Sequence, residues 1–353
     1  MDSELSSNVE QDNNPLKPEV ETTNPVELPN EQPEKKSKLP LVALIVGLVV
    51  IIAGGIFAYL AITETGPFQK QQDEDQEQIS NEHLWTPENY PRVDASTVTH
   101  PLAMAFYQDF TGDKDKKYAD FGFSQTHQSY LNLINGKKDL ILVTSPSEDE
   151  LKLAAEKNIE LEVTPVVKEG FVFFVSSDNP VDNLTSEQVR DIYSGKITNW
   201  KDVGGEDKPI VAYQRPINSG SQTGMLDLVM KDTPLMTPPS ESWRMSDMNN
   251  IVDAVSSYEN TNDAIGYSYY YYATTMYQDI DKNIADGIKL LSIDGVKPGE
   301  TTIQSSEYPF HTAYYIVIDK AATEDSPARK LMDAMLSQRG QTVARNAQYV
   351  PVN

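Results

Sequence analysis

No cysteine occurs in the 353 residues. Disulfides, thiolate metal centres, a thiol nucleophile and the acylated cysteine that tethers many exported bacterial proteins are therefore excluded. Histidine is scarce as well: His83, His100, His127 and His311 are the whole set. None has the spacing of a zinc motif, so neither a metal centre nor any other cofactor is expected. Positive charge is also short, with 29 Lys and Arg against 53 Asp and Glu and a formal net charge of -24. Such a balance does not suit a nucleic-acid partner, which requires a basic surface to displace counterions from phosphates.

Long apolar runs are missing with one exception. Leu39 to Ile62, LPLVALIVGLVVIIAGGIFAYLAI, holds 24 residues without a charge, and about 20 helical residues already cross a hydrocarbon core. A transmembrane helix is expected over 39–62. Lys35, Lys36 and Lys38 precede the run and Glu64 follows it, which places the N-terminus in the cytoplasm and the rest of the chain outside the cell membrane. Residues 1–34 hold nine Asp or Glu and one Lys with few large apolar side chains, too little to bury, so 1–38 reads as a disordered acidic cytoplasmic tail. Residues 63–87, with QKQQDEDQEQ at their centre, read as a polar stalk.

From 88 to 353 the texture is that of an α/β protein. Apolar, β-branched or aromatic runs (DLILVT from Asp139, GFVFFVS from Gly170, YYIVI from Tyr314) alternate with helical patterns. Helices are predicted over Pro101–Phe110, Gln128–Asn135 and Thr185–Tyr193, the last opening on a capping-box spacing and the last two stopping at Gly136 and Gly195. Alternation of this kind predicts mostly parallel sheets, with ligands collected where helix N-termini point inward. Three helix starts are rich in hydroxyls: DASTVTHP (Asp94–Pro101), SQTHQ (Ser124–Gln128) and NSGSQTG (Asn218–Gly224). A helix N-terminus leaves amides unpaired and carries about half a positive charge, so converging starts attract an anion. The third also brings Arg215, whose guanidinium grips an oxyanion with two parallel hydrogen bonds, and Gly220, which admits a close backbone approach. The rings of His100 and His127 read as capping or packing groups, and the tyrosines of YSYYYY (Tyr267–Tyr272) as core.

The segments IYSGKITNW (Ile192–Trp200), RPINSGSQTGM (Arg215–Met225), DAIGYSYYYY (Asp263–Tyr272) and ASTVTHPL (Ala95–Leu102) resemble the phosphate-binding proteins of bacterial ABC transporters over about Tyr90–Val352. The resemblance implies a bilobal type II periplasmic-binding fold. Lobe one would take about 88–168 and 309–353 and lobe two about 169–308, with crossovers near Val167–Gly170 and Pro309–Thr312. It implies a ligand set of Thr99 and the His100 amide at the first start, Thr126 at the second, and Arg215, Ser219, Gly220 and Ser221 at the third. Thr144 stands where the family often has a carboxylate that accepts the proton of hydrogen phosphate. The implied function is capture of inorganic phosphate or a related oxyanion and delivery to ABC permease subunits, without catalysis. A membrane-anchored oxyanion sensor or scaffold uncoupled from transport is the alternative. The membrane anchor with its acidic tail departs from the family's usual lipid-tethered or soluble form.

Overall fold

A computed structural model of the chain describes residues 83–256, 263–276 and 287–353. The expected span at 39–62, the tail and most of the stalk lie outside these residues; among the described residues no helix is long and apolar enough to cross a membrane. The strands are β1 (Val93–Ala95), β2 (Leu140–Val143), β3 (Leu161–Ser176), β4 (Asn183–Leu184), β5 (Val211–Ala212), β6 (Ala264–Tyr269), β7 (Ile288–Leu290), β8 (Ser292–Ile293), β9 (His311–Asp319) and β10 (Val350–Pro351). The helices used below are α1 (His100–Thr111), α2 (Thr126–Ile134), α3 (Glu148–Glu156), α4 (Ser186–Tyr193) and α5 (Gly220–Gly224).

The fold is α/β and bilobal. Its main sheet runs in the order β1-β2-β9-β3-β6-β5, with β7 and β10 also joined to β3. The 16-residue β3 serves both lobes: Leu161–Gly170 pair with β9, and Phe171–Val175 pair with β6. The first half therefore belongs to a sheet with β1, β2 and β9, and the second to one with β5, β6 and β7. The five residues FVFFV from Phe171 are all fully buried, which is why they read as an unbroken apolar run: helices or strands cover both faces.

The expectation of mostly parallel sheets is corrected. Among the described residues only β1–β2 and β5–β6 are parallel in the main sheet, while β2–β9, β3–β9 and β3–β6 are antiparallel. For β3 and β9 the cause is the crossover itself. One strand leaves the first lobe and the other returns to it, so the two must run in opposite directions. The helix signals are clearer in outcome. The α4 capping box is made by Thr185 and Gln188, and Gly195 at φ 80° turns the chain away after it. Pro101 sits at the start of α1, and Gly112 at φ 72° ends it.

Candidate functional site

A cavity of about 520 Å³ is lined by Ser96–Val98, Gln125–Gln128, Thr144, Arg215–Ser221, Ser246, Asp247, Tyr269 and Tyr272. It lies where three loops meet. Asp94, fully buried in the middle of β1, fixes two of them: one oxygen accepts from the Ala95 amide at 2.9 Å and the Ser124 amide at 2.8 Å, the other from Asn132 Nδ2 at 2.7 Å. Thr144 follows β2, and the Tyr130 hydroxyl donates to its carbonyl at 2.8 Å.

The Arg215 segment is held from behind. Its backbone amide donates to Gln222 Oε1 at 3.0 Å and to the Tyr267 hydroxyl at 2.9 Å, and that hydroxyl in turn donates to Gln222 Oε1. Ser219 caps α5, accepting from the Gln222 amide. Tyr269 donates to the Gly220 carbonyl at 2.9 Å. Alternate tyrosines of the YSYYYY run thus serve as core struts under the loop, and Tyr267 and Tyr269 are both buried.

The side chains that face the cavity are short of partners. Arg215 is 8% exposed, and of its guanidinium nitrogens only Nη2 finds an acceptor among the described residues, the Ser246 carbonyl at 3.3 Å. Its Nε and Nη1 are buried without any hydrogen-bond partner, as is Ser221 Oγ. Thr144 Oγ1 has the Tyr269 hydroxyl beside it but no hydrogen bond of good geometry. Burial pulls the Arg215 pKa below its ordinary value, opposed by Tyr267, Asp247 and Tyr272 nearby; a guanidinium still stays charged. A buried cation whose donors are unused is costly, at several kcal/mol. An oxyanion in the cavity would satisfy those donors and offset that charge at once.

Of the residues expected at the site, Thr126, Thr144, Arg215, Ser219, Gly220 and Ser221 are brought together here. Thr126 and Thr144 lie so close to Gly220 that a Cβ on the glycine would stand 2.8 Å and 2.4 Å from their hydroxyl oxygens. Thr99 and His100 are not brought to the cavity. Thr99 is fully buried, with its hydroxyl donating to the Leu142 carbonyl. The His100 ring bridges the carbonyls of Ala95 and Ser124 at 3.0 Å and 2.9 Å and stacks on Phe123. Burial lowers its pKa, opposed by the Ser124 and Ala95 carbonyls and by Asp94, and the ring serves as a packing group. The reason is a 3-10 turn over Thr97–Thr99 between β1 and α1, which turns Thr99 inward and leaves Thr97 and Val98 on the cavity wall.

Residues 86–338 match the family profile described as the PBP superfamily domain. The chain belongs to the PBP superfamily. Among curated relatives of this PBP-superfamily protein, the phosphate-binding protein PstS of Staphylococcus saprophyticus is 27% identical over 262 residues, covering 73% of this chain and 78% of the relative. PstS of Bacillus subtilis is 24% identical over 270 residues, covering 74% and 80%. Solved structures with the same fold include a phosphate ABC transporter substrate-binding protein of Clostridium perfringens with bound phosphate, at TM-score 0.56 and 23% identity over 74% of this chain and 98% of that one. An ABC-type phosphate transport receptor of Vibrio cholerae has TM-score 0.53 and 19% identity, over 73% and 98%.

Two features of the PBP-superfamily cavity escape the reading of helix starts. Asp247 is the sole carboxylate among the lining residues, reached from a segment with no motif. His127 lines the wall, and its Nδ1 is 2.9 Å from Oε1 of Glu150. A serine three residues before a glutamate (Ser147, Glu150) is a visible capping-box spacing. The partner 23 positions away is not visible.

Proposed function

We propose that this chain is the substrate-binding component of an ABC transporter, capturing inorganic phosphate or a closely related oxyanion between its two lobes and delivering it to the permease. The observation that carries the reading is the buried Arg215 guanidinium with Nε and Nη1 unpartnered, in a cavity with the hydroxyls of Thr126, Thr144 and Ser221. Hydrogen bonds to a charged group contribute about 1.5–3 kcal/mol each. Four or five of them match the roughly 8 kcal/mol of a micromolar site once association costs are met elsewhere in the interface. Thr97 and the Val98 amide, in place of Thr99 and His100, complete the ligand set on the first loop. The phosphate-binding relatives and the phosphate-bound neighbour support the same ligand class. The donors that face the cavity are hydroxyls and a guanidinium, groups that hold an oxyanion by hydrogen bonds, so binding is the chemistry they support.

The apolar run Leu39–Ile62 would anchor the domain on the outer face of the cell membrane, with residues 1–38 inside. Calorimetric titration of the full-length chain with phosphate and sulfate, repeated on Arg215→Ala, tests the reading. Phosphate binding at about micromolar affinity or tighter is expected, weakened at least about tenfold in the variant. Binding unchanged by the loss of Arg215 would remove the site from this cavity.

A further inference from the structure

The turn that precedes α5 reaches out of its own lobe. The Ser219 amide donates to the Pro216 carbonyl at 3.2 Å, closing a turn over Pro216–Ser219. Its third residue, Asn218, has φ 63°, the positive value that a type II turn has at that place and that asparagine tolerates better than most side chains. Asn218 lies on the cavity wall beside Ser219. From there its side chain crosses to the first lobe, where Nδ2 donates to Asp149 Oδ2 at 2.9 Å. Asp149 stands in the first turn of α3, where the helix N-terminus favours a carboxylate and keeps the acceptor in place.

The two ends of the Arg215–Gly220 segment are tied to their own lobe, at the Arg215 amide by Gln222 and Tyr267 and at the Gly220 carbonyl by Tyr269. The bond at Asn218 instead ties its middle to the facing lobe. Lobe-to-lobe bonds at the crossovers, such as Lys168 Nζ on the Gln304 carbonyl at 2.6 Å, lie near the pivot and change little as the lobes part. A bond at the cavity wall is made only when they meet. Charge near this edge opposes that meeting. Burial and then the Glu148 carboxylate of the first lobe raise the carboxyl of Asp227, in the helical turn that follows α5 in the second. A neutral donor facing Asp149 joins the lobes where another carboxylate would add to the repulsion.

We propose that Asn218 is a positioning residue of this site: its bond to Asp149 holds the two lobes together around a captured oxyanion and seats the Ser219–Ser221 donors against Thr126 and Thr144. The inference rests on the oxyanion reading above. Because the bond forms after the lobes meet, it slows release of the anion and leaves its entry unchanged.

The test is calorimetric and stopped-flow titration of the full-length chain with inorganic phosphate, for the wild type, Asn218→Gly, Asn218→Asp, Asp149→Asn and the double variant Asn218→Asp with Asp149→Asn. Glycine keeps the left-handed turn and removes the side chain. Asn218→Gly should bind phosphate about three- to tenfold more weakly, the worth of one partly exposed hydrogen bond to a carboxylate, with the loss in the dissociation rate. Asn218→Asp, which sets a second carboxylate against Asp149, should lose more than Asn218→Gly. Asp149→Asn keeps an acceptor for Asn218 and should lose less. Exchanging the two residues reverses donor and acceptor, so the double variant should bind at least about threefold more tightly than Asn218→Asp. With phosphate still bound by the wild type, an unchanged affinity and dissociation rate in Asn218→Gly, or no recovery in the double variant, overturns this inference alone. Absence of phosphate binding by the wild type overturns the oxyanion reading and the inference with it.

Discussion

Gly220→Ala isolates the approach of the two lobes at the site. The glycine opens α5 in the second lobe, and Thr126 and Thr144 face it from the first. A Cβ at this position stands 2.4 Å from Thr144 Oγ1, 2.8 Å from Thr126 Oγ1 and 3.2 Å from Thr144 Cγ2. The first two distances are far inside van der Waals contact. The glycine does not use the left-handed region, so alanine fits the local backbone, and in a helix it is favoured over glycine by up to about 1 kcal/mol. The methyl is therefore compatible with the glycine's own backbone. Its cost falls on the approach to the threonines, where overpacking runs to about 1–3 kcal/mol, or about 5- to 150-fold in phosphate affinity. Calorimetry should show that loss while the melting temperature without ligand is unchanged or slightly raised. Wild-type phosphate affinity in Gly220→Ala would refute the reasoning, because it would mean that closure never brings these three residues together.

Thr144→Asp places a carboxylate in the cavity, which repels sulfate but accepts the proton of hydrogen phosphate. The phosphate-to-sulfate affinity ratio should rise by about tenfold or more, and an unchanged ratio in competition titrations would count against the position. Burial pushes the Glu169 carboxyl from 4.5 up to about 7. The folded state then holds a proton that the unfolded chain has released between those values, so this contribution is present below about pH 4.5 and is lost as pH rises to about 7, up to roughly 3 kcal/mol. The amides of Gly170 and Tyr271 donate to Oε1 of Glu169, an acceptor that glutamine retains. Glu169→Gln should therefore lose less stability than the wild type between pH 5 and 7.5 in urea melts, and parallel curves would refute the assignment. The full chain should sediment with membranes, and removal of residues 1–62 should release it to the soluble fraction; membrane association that survives the deletion would move the anchor elsewhere.

Much of the cavity was legible because its chemistry is local. An arginine four residues before a Ser-Gly-Ser helix start, and hydroxyls at two other segment ends, announce donors without partners, and Thr126, Thr144, Arg215, Ser219, Gly220 and Ser221 line one wall or another. The first loop is less legible, for Thr97 and Val98 line the cavity while Thr99 and His100 do not. Pro101 marks the start of α1, but nothing in the composition shows that the chain makes an extra 3-10 turn at Thr97–Thr99 before reaching it. Strand direction was misread because periodicity reports which faces are buried and not which way a neighbour runs. Contacts of long sequence separation, such as Glu150 behind His127 or Tyr271 over Glu169 at the crossover, leave no local signature at all.

The sharing of β3 has a consequence for how the chain matures during synthesis. Gly170 pairs with His311 across the sheet, so everything between them forms an insertion whose two ends are already joined. The inner unit is complete once the ribosome has delivered about residue 311. The outer unit is not: β10, at Val350–Pro351, is its last strand and pairs with Val167 and Lys168. Within the outer unit the first strands to emerge, β1 with β2, must wait exposed for β9 and the final residues, and that early half is where a trans-acting holdase would be needed most.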